Sequence, residues 1–175
     1  MLVMSIHKNT LEIRTVTQDD KNAVLDVYRQ CEDFLALGPE PRASLGMVLK
    51  DIETTKHEGG VFQGIYADGK MIGIVSYVAR NFENKPQAAF ISLLMIAVSY
   101  RGYGIGTEIV KRIEKEILKD SHVTTILSAV QVNNPDALRF WKKNGYQIVG
   151  GPELRPDSTT VFHLRKDCTT VTGVK

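Results

Sequence analysis

The apolar positions along this chain change spacing several times, and each change marks an element. Leu11 to Val16 alternates apolar and polar residues, the period of a half-buried strand. Thr17 followed by Gln18, Asp19 and Asp20 predicts a helix start, with acids at the positive end of the dipole. Ala23, Val24, Val27, Tyr28 and Cys31 then keep helical spacing, and this helix is expected to fade by Gly38-Pro39-Glu40-Pro41. A second helix is expected from Ala43 to about Thr54, with Leu45, Val48, Leu49 and Ile52 as its stripe and Gly59-Gly60 ending it.

Val61 to Ala67 reads as a strand, Asp68-Gly69 as a tight hairpin turn, and Met71 to Ala79 as the partner strand. Arg80 to Gln87 is a polar loop and Ala88 to Val98 another strand, continuously apolar from Leu93. The chain then turns through Tyr100 to Gly106 and continues as a helix, with Ile105, Ile109, Ile113 and Ile117 on one face. Val123 to Val132 is a further strand. Asn133-Asn134-Pro135-Asp136 opens the next helix with proline at its favoured first position, and Gly145 closes it. Gln147 to Val149 and Thr159 to Leu164 form two last strands around the loop Gly150 to Ser158, before a polar, frayed tail from Lys166. The order β-α-α-β-β-β-α-β-α-β-β predicts an α/β (α+β) fold. Its centre is a mixed, mostly antiparallel sheet of about seven strands with helices on both faces.

Composition adds limits. At 175 residues the chain is expected to form one domain, with its core over residues 11–165 and a tail over 166–175. A net charge of +2, with both signs mixed along the chain, argues against nucleic acid as a partner. No apolar run approaches the ~18 residues of a membrane span, and the start is too polar for a signal peptide. Cys31 and Cys168 are the only cysteines, which fits a reduced, cytoplasmic setting. The four histidines lack metal-ligand spacing, so no metal site is expected.

The candidate chemistry lies where the apolar strand turns into the isoleucine-striped helix. Helix N-termini carry unpaired N–H groups and the positive dipole end, and glycines let an anion approach the backbone. Arg101, Gly102, Tyr103, Gly104, Ile105, Gly106 and Thr107 form such a loop, with a guanidinium suited to bidentate phosphate contacts at its lip. Thr107 replaces the third glycine of a dinucleotide fingerprint, and the Gly-Lys-Ser/Thr of a Walker loop is absent. On spacing alone this is either a phosphate site or a plain strand-to-helix turn. About thirty residues on, Asn134, Ala137, Phe140, Trp141, Gly145 and Tyr146 recur at helical spacing. Taken alone, they read equally well as an N-cap with core positions.

Together the two segments resemble the GNAT superfamily of acyl-CoA N-acyltransferases. Arg101 to Gly106 looks like its pyrophosphate signature R/Q-x-x-G-x-G/A, and Asn134 to Tyr146 like N-x-x-A-x-x-[FL]-Y-x-x-x-G-[FY]. The resemblance implies acetyl-CoA as co-substrate. Its pantetheine arm would lie in a split between the strand Ser92 to Val98 and the strand Thr124 to Val130. Ile96, Ala97 and Val98 would line the arm, Arg101 to Thr107 the pyrophosphate, and Asn134, Ala137, Phe140 and Trp141 the opposite wall, with Lys143 toward the adenosine end. The implied reaction is direct attack of a neutral primary amine on the thioester, with the Ile96 backbone N–H stabilising the oxyanion.

Two departures from the family pattern bear on catalysis. Trp141 stands where many relatives place an acidic tyrosine, and an indole N–H is too weak an acid to replace it. Ser92 stands where some relatives carry a glutamate base, and it is expected at most to hold a water. General acid and general base are therefore unassigned, with Glu32, Asp33 and Glu83 as candidate bases by segment only. The acceptor site is expected from Gln30 to Arg42 and from the loop Gly150 to Ser158. Asp33 and Phe34 are its named contacts, with Leu37, Glu40 and Glu153 beside them. The acceptor is expected to be a small-molecule amine, the alternatives being a protein N-terminus or lysine, or a non-catalytic acyl-CoA-sensing domain. A homodimer is left open.

Overall fold

The computed structural model describes residues 10–168. Its elements are β1 (Glu12–Thr15), α1 (Lys21–Arg29), α2 (Glu32–Leu35), α3 (Leu45–His57), β2 (Val61–Ala67), β3 (Lys70–Val78) and β4 (Ala88–Ile96). They continue with α4 (Ile105–Ile117), β5 (Thr125–Gln131), α5 (Pro135–Lys143), β6 (Gln147–Leu154) and β7 (Thr160–Asp167). The strands make one sheet in the order β1-β2-β3-β4-β5-β7-β6, antiparallel throughout except for β4 beside β5.

Helices cover both faces, as the two apolar periods require. On one face Ile105, Ile109, Ile113 and Ile117 of α4 are essentially buried against Ile72, Val75 and Ile126. On the other, Val24, Val27 and Tyr28 of α1 and Val48 of α3 pack on Ile74 and Met95. Asp68 and Gly69 take positive φ (49° and 76°), the backbone that the β2–β3 hairpin demands. Among the described residues, no helix is long and apolar enough to cross a membrane.

Several boundaries differ from the sequence reading. The first helix breaks at Gln30–Cys31, because Cys31 turns inward and its Sγ reaches the Ile96 carbonyl at 3.5 Å. α3 turns only part of the predicted stripe inward. Val48 is buried and Ile52 packs on the core, whereas Leu45 and Leu49 are 36% and 41% exposed and Thr55 is buried in their place. The strand expected to reach Val98 ends at Ile96, and Val98–Tyr100 form a 3-10 turn in which Arg101 N–H donates to the Val98 carbonyl. Gly150 to Leu154 is strand rather than loop. β6 is an edge strand whose two register shifts absorb the Gly-Gly-Pro run. β7 also runs into the predicted tail, ending at Asp167, and Cys168 N–H donates to the Thr124 carbonyl. Tail residues 169–175 lie outside the described residues.

Candidate active site

The sheet forks at its parallel pair. β4 and β5 stay in register from Ala88↔Thr125 to Ile91↔Ser128, and their pairing stops there. Ser128 Oγ donates to the Ile91 carbonyl (2.9 Å) at the base of the fork. A bulge at Ser92 in the β3–β4 ladder resets the alternation of β4 beyond that point. Ala97 N–H donates to the Ile72 carbonyl on β3. Ladder bonds alternate between the two edges of an antiparallel strand. The peptide groups of Leu94 and Ile96 therefore face the open side, toward the fork.

Past the mouth of the fork the chain wraps into an amide-lined cup. Gly102 (φ 83°) and Gly104 (φ 75°) occupy the left-handed region, and Gly104 is the N-cap of α4. The first N–H groups of α4 thus face the same cleft as the Ile96 edge. Gly106 is small for another reason: a Cβ there would lie 3.1 Å from the Phe140 ring.

This cleft encloses about 710 Å³. Of the residues predicted for the cofactor, Ile96, Arg101, Gly102, Gly104 to Thr107, Asn134, Ala137, Phe140, Trp141 and Lys143 line it. Three do not. Ala97 is buried beneath the strand end, and Val98 and Tyr103 are 57% and 50% exposed away from the cleft. Asn134 caps α5, its Oδ1 accepting from Ala137 N–H (3.0 Å). Trp141 is 7% exposed, edge-on to Phe140 (5.4 Å) and Tyr146 (4.8 Å).

Arg101 is already engaged. Its Nε donates to the Ile96 carbonyl (2.7 Å), and its two terminal nitrogens donate to the Asp33 carboxylate (2.5 and 3.1 Å). The guanidinium holds the Asp33 carboxyl below the usual range. Asp33, expected among the acceptor contacts, therefore sits on the cofactor side. Asn133 Nδ2 donates to the Leu37 carbonyl (3.1 Å), so the segment from Asp33 to Leu37 is tied to both arms of the fork.

A second cavity, of about 380 Å³, adjoins the first and shares Phe34, Leu94, Asn134, Ala137 and Trp141 with it. Ser92 lines this cavity, its hydroxyl 2.7 Å from that of Ser76. So do Asp51, Glu58, Asp157 and Arg155. The three bases suggested by sequence lie elsewhere. Glu32 accepts from Ala43 N–H and Arg42, Asp33 is held by Arg101, and Glu83 pairs with Lys85 on an exposed turn. Glu153 is likewise occupied, by His163.

Sequence reasoning missed Asp51. Its Oδ2 accepts from the buried Tyr28 hydroxyl (2.7 Å), burial pushes its carboxyl above the usual range, and burial likewise raises the Tyr28 phenol. The signal was present in the spacing: Val48, Asp51 and Thr55 are i, i+3 and i+7, which places a carboxylate on the inward face of α3.

Residues 21–146 match the Acetyltransferase (GNAT) family. A spermine/spermidine N(1)-acetyltransferase from Bacillus subtilis (strain 168) is 22% identical over 158 residues, covering 89% of this chain and 99% of that protein. A crystal structure of an acetyltransferase from Thermus thermophilus has a TM-score of 0.75 at 21% identity, over 90% of this chain and 97% of that one. The spermidine N-acetyltransferase from Vibrio cholerae, in complex with CoA and spermine, has a TM-score of 0.69 at 16% identity, over 91% and 96%.

Proposed function

The chain belongs to the GNAT acetyltransferase family, and from that premise we propose that it moves the acetyl group of acetyl-CoA directly to a primary amine of a small, cationic molecule. The observation that carries this is the shared wall of the two cavities. Phe34, Leu94, Asn134, Ala137 and Trp141 border both, so two reactants seated in them meet without an enzyme-bound relay. Placing both in one frame supplies much of the rate.

The cofactor-side residues fit acetyl-CoA. The cradle at Gly102 and Gly104, the open amides of α4 and the Arg101 guanidinium suit a diphosphate. The peptide edge of Leu94 and Ile96 suits an amide-bearing arm laid in the fork, as an extra strand would lie. Acetyl-CoA would supply an activated thioester. Within this frame the Ile96 N–H polarises the thioester carbonyl. Trp141 walls the reaction site without acting as an acid. A thiol with a pKa of ~8.5 leaves readily enough that water can protonate it.

The acceptor side favours a cation, since Asp51, Glu58 and Asp157 outnumber Arg155. The names of the Bacillus and Vibrio relatives point the same way, toward a di- or polyamine. The test is to incubate the protein with acetyl-CoA and a mixture of polyamines, amino acids, aminoglycosides and peptides, and to identify acetylated products by mass spectrometry. Acetylated polyamine above the no-enzyme background supports the reading, and acetylation confined to peptide termini or lysines overturns it.

A further inference from the structure

We propose that Asp51, reaching in from α3, is the general base that accepts the proton of the acceptor ammonium. The inference rests on the acetyl-transfer reading above and supplies the carboxylate that β4 lacks at Ser92.

Three observations place it there. Asp51 reaches from α3 into the lining of the acceptor cavity, together with Ser76, Ser92, Leu94 and Trp141. Only Oδ2 is held, by the Tyr28 hydroxyl, which leaves Oδ1 for a substrate. Asp51 also belongs to none of the ion pairs among the described residues, although it is half-buried. A half-buried carboxylate with no direct ion pair, Lys50 acting on it only through its field, is better compensated when a cation arrives from outside. An ammonium ion in the cavity meets that need.

The neighbouring acids are less suited. Asp157 is committed to Thr159, accepting from both its N–H (2.9 Å) and its hydroxyl (2.6 Å), and these bonds hold its carboxyl low. Glu58 is exposed at the end of α3. The charged and titratable groups around Asp51 are Tyr28 from α1, Glu40 from the loop after α2, Lys50 on α3 and Glu58 just past the end of α3. Arg155 and Asp157 line the same cavity from the β6–β7 loop. Burial and Glu40 raise its proton affinity, which Tyr28 and Lys50 oppose. A base with raised affinity takes a proton from an ammonium more readily than an exposed carboxylate does.

Asp51 Oδ1 takes one proton from R–NH3+, giving R–NH2 and a neutral carboxylic acid. The nitrogen forms the C–N bond as the C–S bond breaks. Of its two remaining protons, one stays on the amide and the other ends on the thiol. Asp51 then returns its proton to solvent, so one proton is released per turnover.

Asp51→Asn tests this, since the amide oxygen keeps the Tyr28 bond. With spermidine as the probe amine, kcat/KM at pH 7 should fall ~100-fold or more. The acidic limb of the pH profile should move up toward the amine's own pKa, near ~10, so that activity recovers in alkali. Calorimetric binding of spermidine to the protein with CoA should weaken at least tenfold, while acetyl-CoA affinity stays at the wild-type value. An Asn variant with wild-type kcat/KM and an unmoved acidic limb overturns the role of Asp51 and leaves the acetyl-transfer reading intact. A wild-type protein that neither binds acetyl-CoA nor acetylates any amine overturns both.

Discussion

Arg101 grips Asp33 with both terminal nitrogens while its Nε holds the Ile96 carbonyl. One side chain thus joins the end of β4, the lip of the glycine cup and the α2 segment that crosses the fork. The pair is solvent-facing, at 36% and 59% side-chain exposure, so its effect on stability is small. Its consequence lies in the charge of the cup, because Asp33 offsets the only guanidinium that lines the cofactor cleft among the described residues.

Asp33→Asn should therefore tighten acetyl-CoA binding roughly two- to fivefold at low salt, an increment in the range of an exposed charge pair. Raising the ionic strength should erase the gain. Calorimetric titration at two salt concentrations checks this. Unchanged or weaker binding would mean that Arg101 acts only as a brace between Ile96 and α2.

Asn134 has two jobs that separate cleanly. As an N-cap it bonds Ala137 N–H, and serine caps about as well. As a wall of both cavities it offers an amide that serine cannot replace. Asn134→Ser should leave Tm within about 1 °C of wild type while weakening acetyl-CoA ~5-fold, the worth of one hydrogen bond. Equal losses of stability and affinity would reduce Asn134 to its cap.

Asp51 carries a pH signature in stability as well as in rate. Burial raises its folded pKa above the ordinary 3.8. The folded state then binds more protons than the unfolded one in that window, so its stability falls as pH rises through it. Asn has no charge to bury. Asp51→Asn should raise Tm at pH 7 by ~2–4 °C, about 1 kcal/mol for a chain of this size. The two proteins should converge only well below the ordinary 3.8, at pH ~3, where the carboxyl is protonated in both states. Scanning calorimetry at neutral and at this acid pH checks this, and a gain that persists in acid would assign it to packing instead.

Much of the fold was legible because its periods are clean. The isoleucines of α4, the Asp68-Gly69 turn and the Asn134-Pro135 start are local signals, and local chemistry decides them. What escaped depends on distant partners. α3 has leucines at 45 and 49 that share the expected stripe with Val48 and Ile52, yet Tyr28 and the sheet select only the Val48 and Ile52 side of it, together with Asp51 and Thr55. The Gly150-Gly151-Pro152 run reads as loop, but an edge strand paired on one side tolerates it. The glycine cup was found from residue types alone. The partner of Arg101 lies 68 residues away, and no spacing rule relates it to Asp33.

The central claim is direct transfer between two reactants seated on either side of the Leu94–Trp141 wall. It is tested most directly by following free thiol release from acetyl-CoA with and without spermidine, and by weighing the protein after the incubation without amine. Direct transfer predicts background thiol and an unmodified protein mass without amine, and thiol release that saturates with amine when it is added. Thiol release without amine, accompanied by a stoichiometric acetyl-protein, would contradict it.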